Sequence, residues 1–299
     1  MNPLSVSVCI PAYKADAFIG KALDSVAAQT FHDWEIIVTE DGSKSRTEEI
    51  ASEFAKKVVR PVVYNRHERN RGLPDTRNTG IATARGQWIS FLDADDFWEP
   101  NHLESLINQM KNGPYDLVFA GSKLFDHNKN ITVGTRVPTE KQLRSLPRAL
   151  FTGQLSIMPS SVLIRREAFA RYGNISTEFP YVNDTEYWLR ILHGGGLIGY
   201  SNQITCFYRQ HDQSMSNRSV ELLEDSARLC ERYAKWDAIP RSCKRSRPAN
   251  LYRWAANVAK SESPQKAYNL LKRSLLADPL NAKTLLGFPR LLALYLPKK

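Results

Sequence analysis

Residues 6–43, VSVCIPAYKADAFIGKALDSVAAQTFHDWEIIVTEDGS, predict a strand, a helix and a second strand in direct succession. The segments VSVCI and WEIIVTE are short apolar runs rich in β-branched residues, as buried strands are. Between them, the apolar residues of DAFIGKALDSVAAQ recur with the period of a helix and share one face. This order of elements predicts a βαβ unit whose two strands run parallel.

The alternation of strand and helix continues to about residue 120. PVVYN and QWISFL are predicted strands, and Pro74 is a favourable first residue for the helix between them. Capping patterns predict two further helix starts, at Ser45–Glu48 and at Asn101–Glu104. Residues 115–210 add the strands DLVFAG, SSVLI and QITCFYR. The chain is therefore predicted to have an α/β fold with a mostly parallel central sheet flanked by helices on both faces.

The last part of the chain differs from the rest in both pattern and charge. From residue 218 onward the pattern is helical, and RSCKRSRP (residues 241–248) is predicted to be a basic linker between helices. Residues 219–299 contain 16 Lys and Arg against 7 Asp and Glu, whereas the preceding residues contain 25 against 24. We therefore predict two domains, residues 1–217 and a basic α-helical extension, residues 218–299. The charge asymmetry favours an anionic partner.

Composition and spacing also exclude several classes of protein. The N-terminus lacks a secretory signal, and the apolar stretch LLGFPRLLALYLP is interrupted by Pro289 and Arg290, so no membrane span is expected. The four cysteines lack the spacing of a zinc site. The basic residues do not alternate with aromatic residues on a strand, so nucleic acid is not the expected partner. A cytoplasmic location is predicted.

Polar side chains follow the carboxyl end of three predicted strands. Pro11 and Tyr13 follow the first strand, Asp41 follows the second, and a group of three aspartates at 93, 95 and 96 follows the fourth. Because strand ends of a parallel sheet form one crevice, these residues are expected to converge. Neither GxGxxG nor GxxxxGK[ST] is present, so a nucleotide diphosphate would need another positive group. A divalent cation held by the crowded carboxylates would supply it.

These motifs together resemble those of the family 2 inverting glycosyltransferases, which have the GT-A fold. The resemblance runs from VSVCIPAY through NRGLPDTRNTGIATARGQWISFLDADDFWEPNHLE and NDTEYWLRILHGG to YRQHDQSMS, which is about residues 4–216. It implies a Rossmann-like nucleotide-binding half within the GT-A domain. The helical extension lies outside the resemblance.

The resemblance implies a donor-binding role for five residues. Pro11 and Tyr13 match a PxY motif that faces the nucleotide base, and Asp41 matches the second carboxylate of DDGS, which would accept a hydrogen bond from a uracil N3–H. Arg77 matches an arginine that reaches toward the nucleotide phosphates, and Asp93 matches the carboxylate that binds the ribose. Glu40 stands where the family has aspartate.

The resemblance also assigns the metal and the catalytic base. Asp95, together with His211 of the H..S.S loop, would hold Mn²⁺ or Mg²⁺, while Asp96 would support the metal through water or cap the next helix. Asp184 matches the catalytic base, with Glu186 on the same helix as its rival. Asn183 stands where the family has glutamate, and Trp188 and Arg190 would be structural.

The predicted function is transfer of a sugar from a nucleotide donor, with UDP as the expected nucleotide, to a hydroxyl of a glycan or lipid-linked acceptor. Two alternatives stay open from the sequence: a nucleotidyltransferase, and a catalytically silent scaffold with the same fold. The basic extension, with its apolar end LLGFPRLLALYLPKK, predicts that the protein binds peripherally to the anionic surface on the inner face of the membrane. A solvated appendage packed on the protein is the competing interpretation.

Overall fold

The computed structural model describes residues 5–211 and 219–280. The strands are β1 (Val6–Ala12), β2 (Trp34–Glu40), β3 (Val62–Arg66), β4 (Trp88–Phe91), β5 (Phe97–Trp98), β6 (Leu117–Asp126), β7 (Ile131–Arg136), β8 (Val162–Arg165) and β9 (Ile198–Gln210). The helices are α1 (Ile19–Ala27), α2 (Thr47–Ala55), α3 (Leu73–Thr83), α4 (His102–Lys111), α5 (Glu140–Leu143), α6 (Leu146–Thr152), α7 (Arg166–Tyr172), α8 (Asn183–His193), α9 (Ser219–Arg232), α10 (Arg241–Ala259) and α11 (Pro264–Ala277).

The strands of the described residues form one sheet in the order β3-β2-β1-β4-β8-β6-β9-β5, with β7 paired to β6. The first four strands are parallel to one another, and β6 is parallel to β9. Strands β5, β7 and β8 run the opposite way, since each pairs antiparallel with its neighbours. The predicted α/β fold with a mostly parallel sheet is therefore confirmed.

Alternation along β1 explains how helices cover both faces of the sheet. Val6, Val8 and Ile10 belong to a buried cluster with the apolar faces of α1, α2 and α4. Cys9 points to the other face, where Gly80 of α3 comes so close that an added Cβ would lie 3.2 Å from the Cys9 side chain. Because successive residues of a strand point to opposite faces, one strand anchors both helical layers.

α4 is attached to the sheet by a buried histidine. His102 is fully buried, its Nδ1 lies 2.7 Å from Thr205 Oγ1 on β9, and its ring stacks on Trp98. Burial lowers the pKa of His102 to about 3, so the imidazole is neutral at physiological pH. The start of α4 is thereby fixed just beyond the aspartate group.

Contacts divide the chain into two compact units. The first contains residues up to 144 together with 156–211, and the second contains residues 145–155 together with the C-terminal helices. The predicted boundary at residues 217 and 218 lies outside the described residues. The membership of α6 in the second unit was not expected, because nothing in its sequence distinguishes it from the helices around it.

Both predicted helices begin close to the expected place, α4 directly after Asn101 and α2 two residues after Ser45, but neither predicted capping box forms. The N-cap of α2 is Arg46, and the Ser45 hydroxyl just before it donates to Glu40 Oε2 at 2.9 Å and accepts from the Thr47 backbone N–H at 3.3 Å. Asn101 does occupy the N-cap of α4, but its side chain makes no cap hydrogen bond, and Glu104 accepts from the Thr30 hydroxyl at 2.7 Å. Glu104 is therefore held by a partner distant in sequence, whereas Ser45 keeps one contact with the backbone of α2. A capping box is present at Thr139 with Gln142, at the start of α5.

The prediction that RSCKRSRP is a linker was wrong. This segment forms the first turns of α10, with Pro248 inside the helix. Proline in a helix interior removes a backbone donor and is usually disruptive. Here α10 packs against α9 and α11, and Pro248 is itself buried in that packing. Tertiary contacts therefore outweigh the local signal.

Two negative predictions can be compared with the described residues. None of the helices in residues 5–211 and 219–280 is long and apolar enough to cross a membrane. Each of the four cysteines is a free thiol, and Cys9, Cys206 and Cys230 are buried. The segment LLGFPRLLALYLPKK lies outside the described residues.

Candidate active site

Asp95 and His211 come from distant parts of the chain and face each other. Asp95 lies in the loop after β4, and His211 follows the last residue of β9. Asp95 Oδ2 is 2.9 Å from His211 Nε2, and the side chains are 32% and 10% exposed. The ring of Phe18 packs against His211 with centroids 4.7 Å apart. The carboxylate is thus partly open to solvent, and the imidazole beside it is nearly buried. The serines of the H..S.S loop lie outside the described residues.

Asp96 has a structural role that the sequence did not reveal. It is buried, its Oδ2 accepts from the Ser160 hydroxyl at 2.6 Å, and its Oδ1 accepts from the backbone N–H of Arg209 at 2.9 Å. Burial raises its pKa well above the usual range, and the neighbouring Asp95 and Asp93 add to this. Asp96 neither caps α4 nor reaches the open side of the loop. Instead it fastens the loop to β9.

Arg77 of α3 connects the aspartate loop to the start of α8. The side chain is buried and donates from Nη2 to Asp93 Oδ1 and from Nη1 to Asn183 Oδ1, both at 2.7 Å. Burial raises the pKa of Asp93, and the Arg77 guanidinium offsets part of that effect. Two of the three guanidinium nitrogens are therefore committed within the protein. The predicted reach of Arg77 toward the nucleotide phosphates stays a prediction.

Asp184 occupies the first turn of α8, next to the Arg77–Asn183 hydrogen bond. Its Oδ1 accepts from the Thr185 backbone N–H at 2.7 Å. Burial raises the pKa of the Asp184 carboxyl, whereas Arg77 lowers it in part. A carboxylate with a raised pKa is a stronger base, which suits removal of a proton from a hydroxyl.

The neighbours of Asp184 on α8 have a different environment. Glu186 is buried and accepts from Arg190 Nη2 at 2.8 Å, and the same arginine donates to the carbonyl oxygens of Tyr172 and Asn174. Trp188 is buried, and its Nε1 donates to the Ile157 carbonyl at 3.3 Å. These residues lie beneath the first turn of the helix and hold it in place.

Asp41 is held in one orientation at the end of β2. Its carboxylate accepts from the backbone N–H groups of Arg71 and Gly72, each at 2.8 Å, and contacts His67 Nδ1 at 2.7 Å. The other ring nitrogen of His67 lies 2.8 Å from Thr79 Oγ1. Sequence reasoning missed His67, because a lone histidine in a loop gives no signal of its partner.

The end of β1 lies beside the end of β2. Pro11 is buried within β1, and Tyr13 beyond it is half exposed, with the Lys14 ammonium 5.3 Å from its ring centroid. The Lys14 backbone N–H donates to the Ser43 hydroxyl at 3.1 Å, and that hydroxyl donates to Glu40. Glu40 also accepts from Ser45, so the residue that departs from the family motif organises the turn after β2.

Gly42 marks a place where two backbone segments come too close for a side chain. Its φ is +67°, and an added Cβ would lie 2.3 Å from the carbonyl carbon of Arg69. We expect Gly42→Ala to lower the free energy of unfolding by at least about 2 kcal/mol, because the strain and the clash act together. Urea denaturation measures this difference.

Gly20 provides the control for that measurement. It lies within α1, and no heavy atom lies within 4 Å of an added Cβ. Gly20→Ala is expected to be neutral or to stabilise the protein by up to about 1 kcal/mol. Equal effects of the two substitutions would contradict the proposed close approach at Gly42.

Arg209 is the second residue that sequence reasoning missed. It is buried near the end of β9, and its Nε donates to the Asp95 carbonyl oxygen at 2.5 Å. Its guanidinium lies between 5.1 and 5.4 Å from the ring centroids of three phenylalanines, Phe18, Phe97 and Phe125. The only signal in the sequence was its place two residues before His211. Arg209 fixes the backbone that carries Asp95.

The structure thus groups the predicted residues into three sets. Asp95 pairs with His211, Asp184 lies beside the Arg77–Asp93 pair, and Asp41 and Tyr13 lie at the neighbouring ends of β2 and β1. Within the part of the chain that the structure describes, no group of three or more His, Cys, Asp and Glu side chains is arranged to hold a metal.

The sequence model of one protein family, Glycosyl transferase family 2, matches residues 7–173, which is more than half of the chain. The chain belongs to glycosyltransferase family 2. This confirms the resemblance and the prediction that the protein is an enzyme, a glycosyltransferase. As a member of the family, it transfers a sugar from a nucleotide sugar.

A relative of this family 2 glycosyltransferase in Escherichia coli is named UDP-Glc:alpha-D-GlcNAc-diphosphoundecaprenol beta-1,3-glucosyltransferase WfgD. It is 27% identical over 228 residues, which cover 75% of this chain and 84% of that protein. An uncharacterised glycosyltransferase of Haemophilus influenzae is 28% identical over 235 residues and covers 77% of each chain.

Among solved structures, S. aureus TarS 1-349 in complex with UDP-GlcNAc matches with a TM-score of 0.66 at 16% identity, over 91% of this chain and 81% of that chain. At this identity the likeness shows the fold alone. The predicted GT-A fold is therefore confirmed for this family 2 glycosyltransferase, including helices after the catalytic domain.

The donor set at Asp95 and His211 fits a hard divalent cation. Mg²⁺ and Mn²⁺ accept carboxylate oxygen, and Mn²⁺ also accepts imidazole nitrogen. Mg²⁺ in enzymes commonly takes only one or two protein ligands and completes its shell with substrate phosphates and water. A pair whose carboxylate is partly open to solvent is consistent with such a site in this family 2 glycosyltransferase.

Proposed function

We propose that this chain is an inverting, metal-dependent glycosyltransferase that moves a sugar from a UDP-sugar to a hydroxyl of a glycan or lipid-linked acceptor. One observation carries the proposal: Asp184 has a raised pKa and lies beside the Arg77–Asp93 pair that leads to the Asp95 loop. Single displacement requires a base near the donor, and Asp184 lies near the loop whose Asp95 and Asp93 carboxylates suit a cation and a ribose.

Asp184 is assigned the removal of the acceptor proton. The acceptor O–H bond breaks as its oxygen attacks the anomeric carbon, and the proton goes to an Asp184 carboxylate oxygen. The bond from the anomeric carbon to the diphosphate breaks on the opposite face, and its electron pair leaves with the nucleoside diphosphate. Because the acceptor oxygen attacks from the face opposite the leaving diphosphate, the anomeric configuration is inverted.

The donor is assigned to the strand ends. Tyr13 is half exposed and offers a ring face to the flat base, and Asp41 offers a remaining carboxylate lone pair to it. Pro11, two residues before Tyr13 in β1, is assigned to the same base-binding edge. Asp93 keeps one oxygen for the ribose hydroxyls while the other accepts from Arg77. Arg77 is here a positioning residue, because its nitrogens hold the Asp93 and Asn183 side chains.

The metal is assigned to Asp95 and His211. Bound Mn²⁺ or Mg²⁺ would neutralise negative charge on the leaving diphosphate. The Asp96 and Arg209 contacts hold the Asp95 backbone, so the protein itself positions the loop that carries the carboxylate. A mannosyltransferase from Pyrobaculum calidifontis, PcManGT, was solved with GDP-Man and Mn²⁺; it matches 99% of this chain and covers 82% of its own, with a TM-score of 0.64 and 17% identity.

The nucleotide and acceptor are inferred from relatives and from charge. The name of WfgD specifies UDP-Glc as donor and a diphosphoundecaprenol-linked sugar as acceptor, and TarS was solved with UDP-GlcNAc. We therefore assign UDP and a lipid-linked or surface glycan to this chain. A peripheral position on the inner face of an anionic membrane agrees with such an acceptor and with the excess of 16 basic over 7 acidic residues in residues 219–299.

A nucleotide-release assay across sugar donors tests this function. With acceptor present, we expect UDP release from one or a few UDP-sugars only when Mn²⁺ or Mg²⁺ is added, and nuclear magnetic resonance should show inverted anomeric configuration in the product. GDP-Man serves as the matched donor control. Release that needs no metal, or a product with retained configuration, would contradict the proposal.

A further inference from the structure

α10 places basic residues on the face with which it packs. Pro248, Tyr252, Ala255 and Ala259 recur at helical spacing and are buried. Arg241 and Arg245 continue the same stripe toward the N-terminus, because they precede Pro248 and Tyr252, respectively, by seven residues. Lys244 stands beside them, four residues before Pro248.

These cations line a groove that is built entirely within the second unit. The groove has a volume of about 540 Å³. Its lining residues come from the end of α9, the start of α10 and the last turns of α11: Glu231, Ala234, Arg241, Lys244, Arg245, Pro248, Arg273, Leu276 and Ala277. Four of them are basic and only Glu231 is acidic. The groove therefore carries an excess of positive charge.

Nearby carboxylates neutralise only part of this charge. Arg245 is 3.4 Å from Asp278, whose side chain is 19% exposed, and Arg273 is 3.3 Å from Glu231, where both side chains are partly exposed. A partly exposed ion pair such as Arg273–Glu231 contributes little to stability, so an incoming anion can replace it. Among the described residues, no carboxylate pairs with Arg241 or Lys244, and α10 itself contains no aspartate or glutamate.

We propose that this groove binds the phosphate-containing headgroup of an anionic phospholipid and so seats the extension on a membrane. Arg and Lys together suit phosphate oxygens, and the N-terminus of α10 adds a favourable dipole. A lipid is favoured over a free phosphate because apolar side chains lie beside the cations. Leu276 in the groove wall is 75% exposed, and Leu280 just after α11 is 81% exposed. This proposal rests on the peripheral location suggested above, but not on the catalytic assignments.

Vesicle co-sedimentation with the full chain tests the groove. Wild type should bind vesicles of phosphatidylcholine with 30% phosphatidylglycerol but not pure phosphatidylcholine, and salt should weaken the binding. The double variant Arg241→Gln with Lys244→Gln should lower the partition coefficient about thirtyfold, since each basic residue near an anionic leaflet contributes about fivefold. Leu276→Ser should also lower it without any change of charge.

The matched control removes the same charge elsewhere on the second unit. Lys260 and Lys272 are exposed and do not line the groove, so Lys260→Gln with Lys272→Gln should change partitioning less than about threefold. An equal loss in both double variants would overturn the groove in favour of diffuse charge. Calorimetric binding of inorganic phosphate to wild type, without vesicle binding, would overturn the lipid as its occupant. UDP affinity of the groove variant should equal that of wild type, which separates this result from a failure of the catalytic proposal.

Discussion

The Asp184→Asn variant should turn over at least about a hundredfold more slowly than wild type, while its affinity for the UDP-sugar stays nearly the same. Asparagine keeps the size of the side chain and its acceptor oxygen for the Thr185 N–H, but it cannot take the acceptor proton. Steady-state kinetics measure the turnover, and calorimetry with UDP measures donor binding. The expected signature is a loss in kcat without a loss in affinity.

The dependence of activity on pH provides a second measure of the same group. Burial raises the pKa of Asp184 above the usual aspartate value of about 3.9. The base must be ionised to work, so kcat/KM should fall as pH decreases through that raised value. This acid limb should be absent from the residual activity of Asp184→Asn.

Glu186→Gln is the control for the assignment of the base. Glu186 is buried and accepts from Arg190, so its replacement should lower stability while the folded protein keeps most of its turnover. If Glu186→Gln were inactive though folded, and Asp184→Asn stayed active, Glu186 would be the base and our assignment would be wrong.

The second large effect is expected at Asp95. Asp95→Asn should abolish the part of UDP affinity that depends on Mn²⁺, because the amide removes the formal charge that faces His211 and the cation. Calorimetric titration of UDP with and without Mn²⁺ gives this difference directly. Without metal, variant and wild type should bind UDP equally.

Asp24→Asn is the control for a simple loss of charge, because Asp24 is exposed on α1. This variant should keep the full response to Mn²⁺. If Asp95→Asn keeps the UDP affinity and the metal dependence of wild type, the metal assignment is refuted. If Asp24→Asn loses its response to Mn²⁺ as Asp95→Asn does, the effect comes from long-range charge and not from a metal ligand.

The sequence predicted the layered part of the fold well, because periodicity reports on burial directly. VSVCI, WEIIVTE and the helix that starts near Pro74 became β1, β2 and α3 with small shifts at their ends. The two predicted helix starts were close to the observed ones, but the capping boxes did not form, because Ser45 donates to Glu40 and Glu104 accepts from Thr30. A local pattern cannot reveal such distant partners.

The different environments of Asp95 and Asp96 also could not be predicted from the local sequence. Asp95 and Asp96 are adjacent and chemically identical, yet one opens toward solvent and the other is buried against Ser160 and Arg209. The resemblance to a family identified the motif, but the division of roles depends on strands that arrive much later in the chain. Arg209 and His67 could not be found without those neighbours.

The Asp93–Arg77–Asn183 bridge has a consequence for how this enzyme can change during evolution. It joins α3 to a position 106 residues further along the chain. Both of its hydrogen bonds are donated by the single buried guanidinium of Arg77. Loss of Asp93 would leave that charge without its ion-pair partner, a change that commonly costs about 3–5 kcal/mol at a buried site. Substitutions at these three positions are therefore expected to be epistatic: a carboxylate at position 183 would be tolerated differently according to which residue occupies position 93. Descendants of this sequence would have to alter the donor loop and the start of the catalytic helix in step.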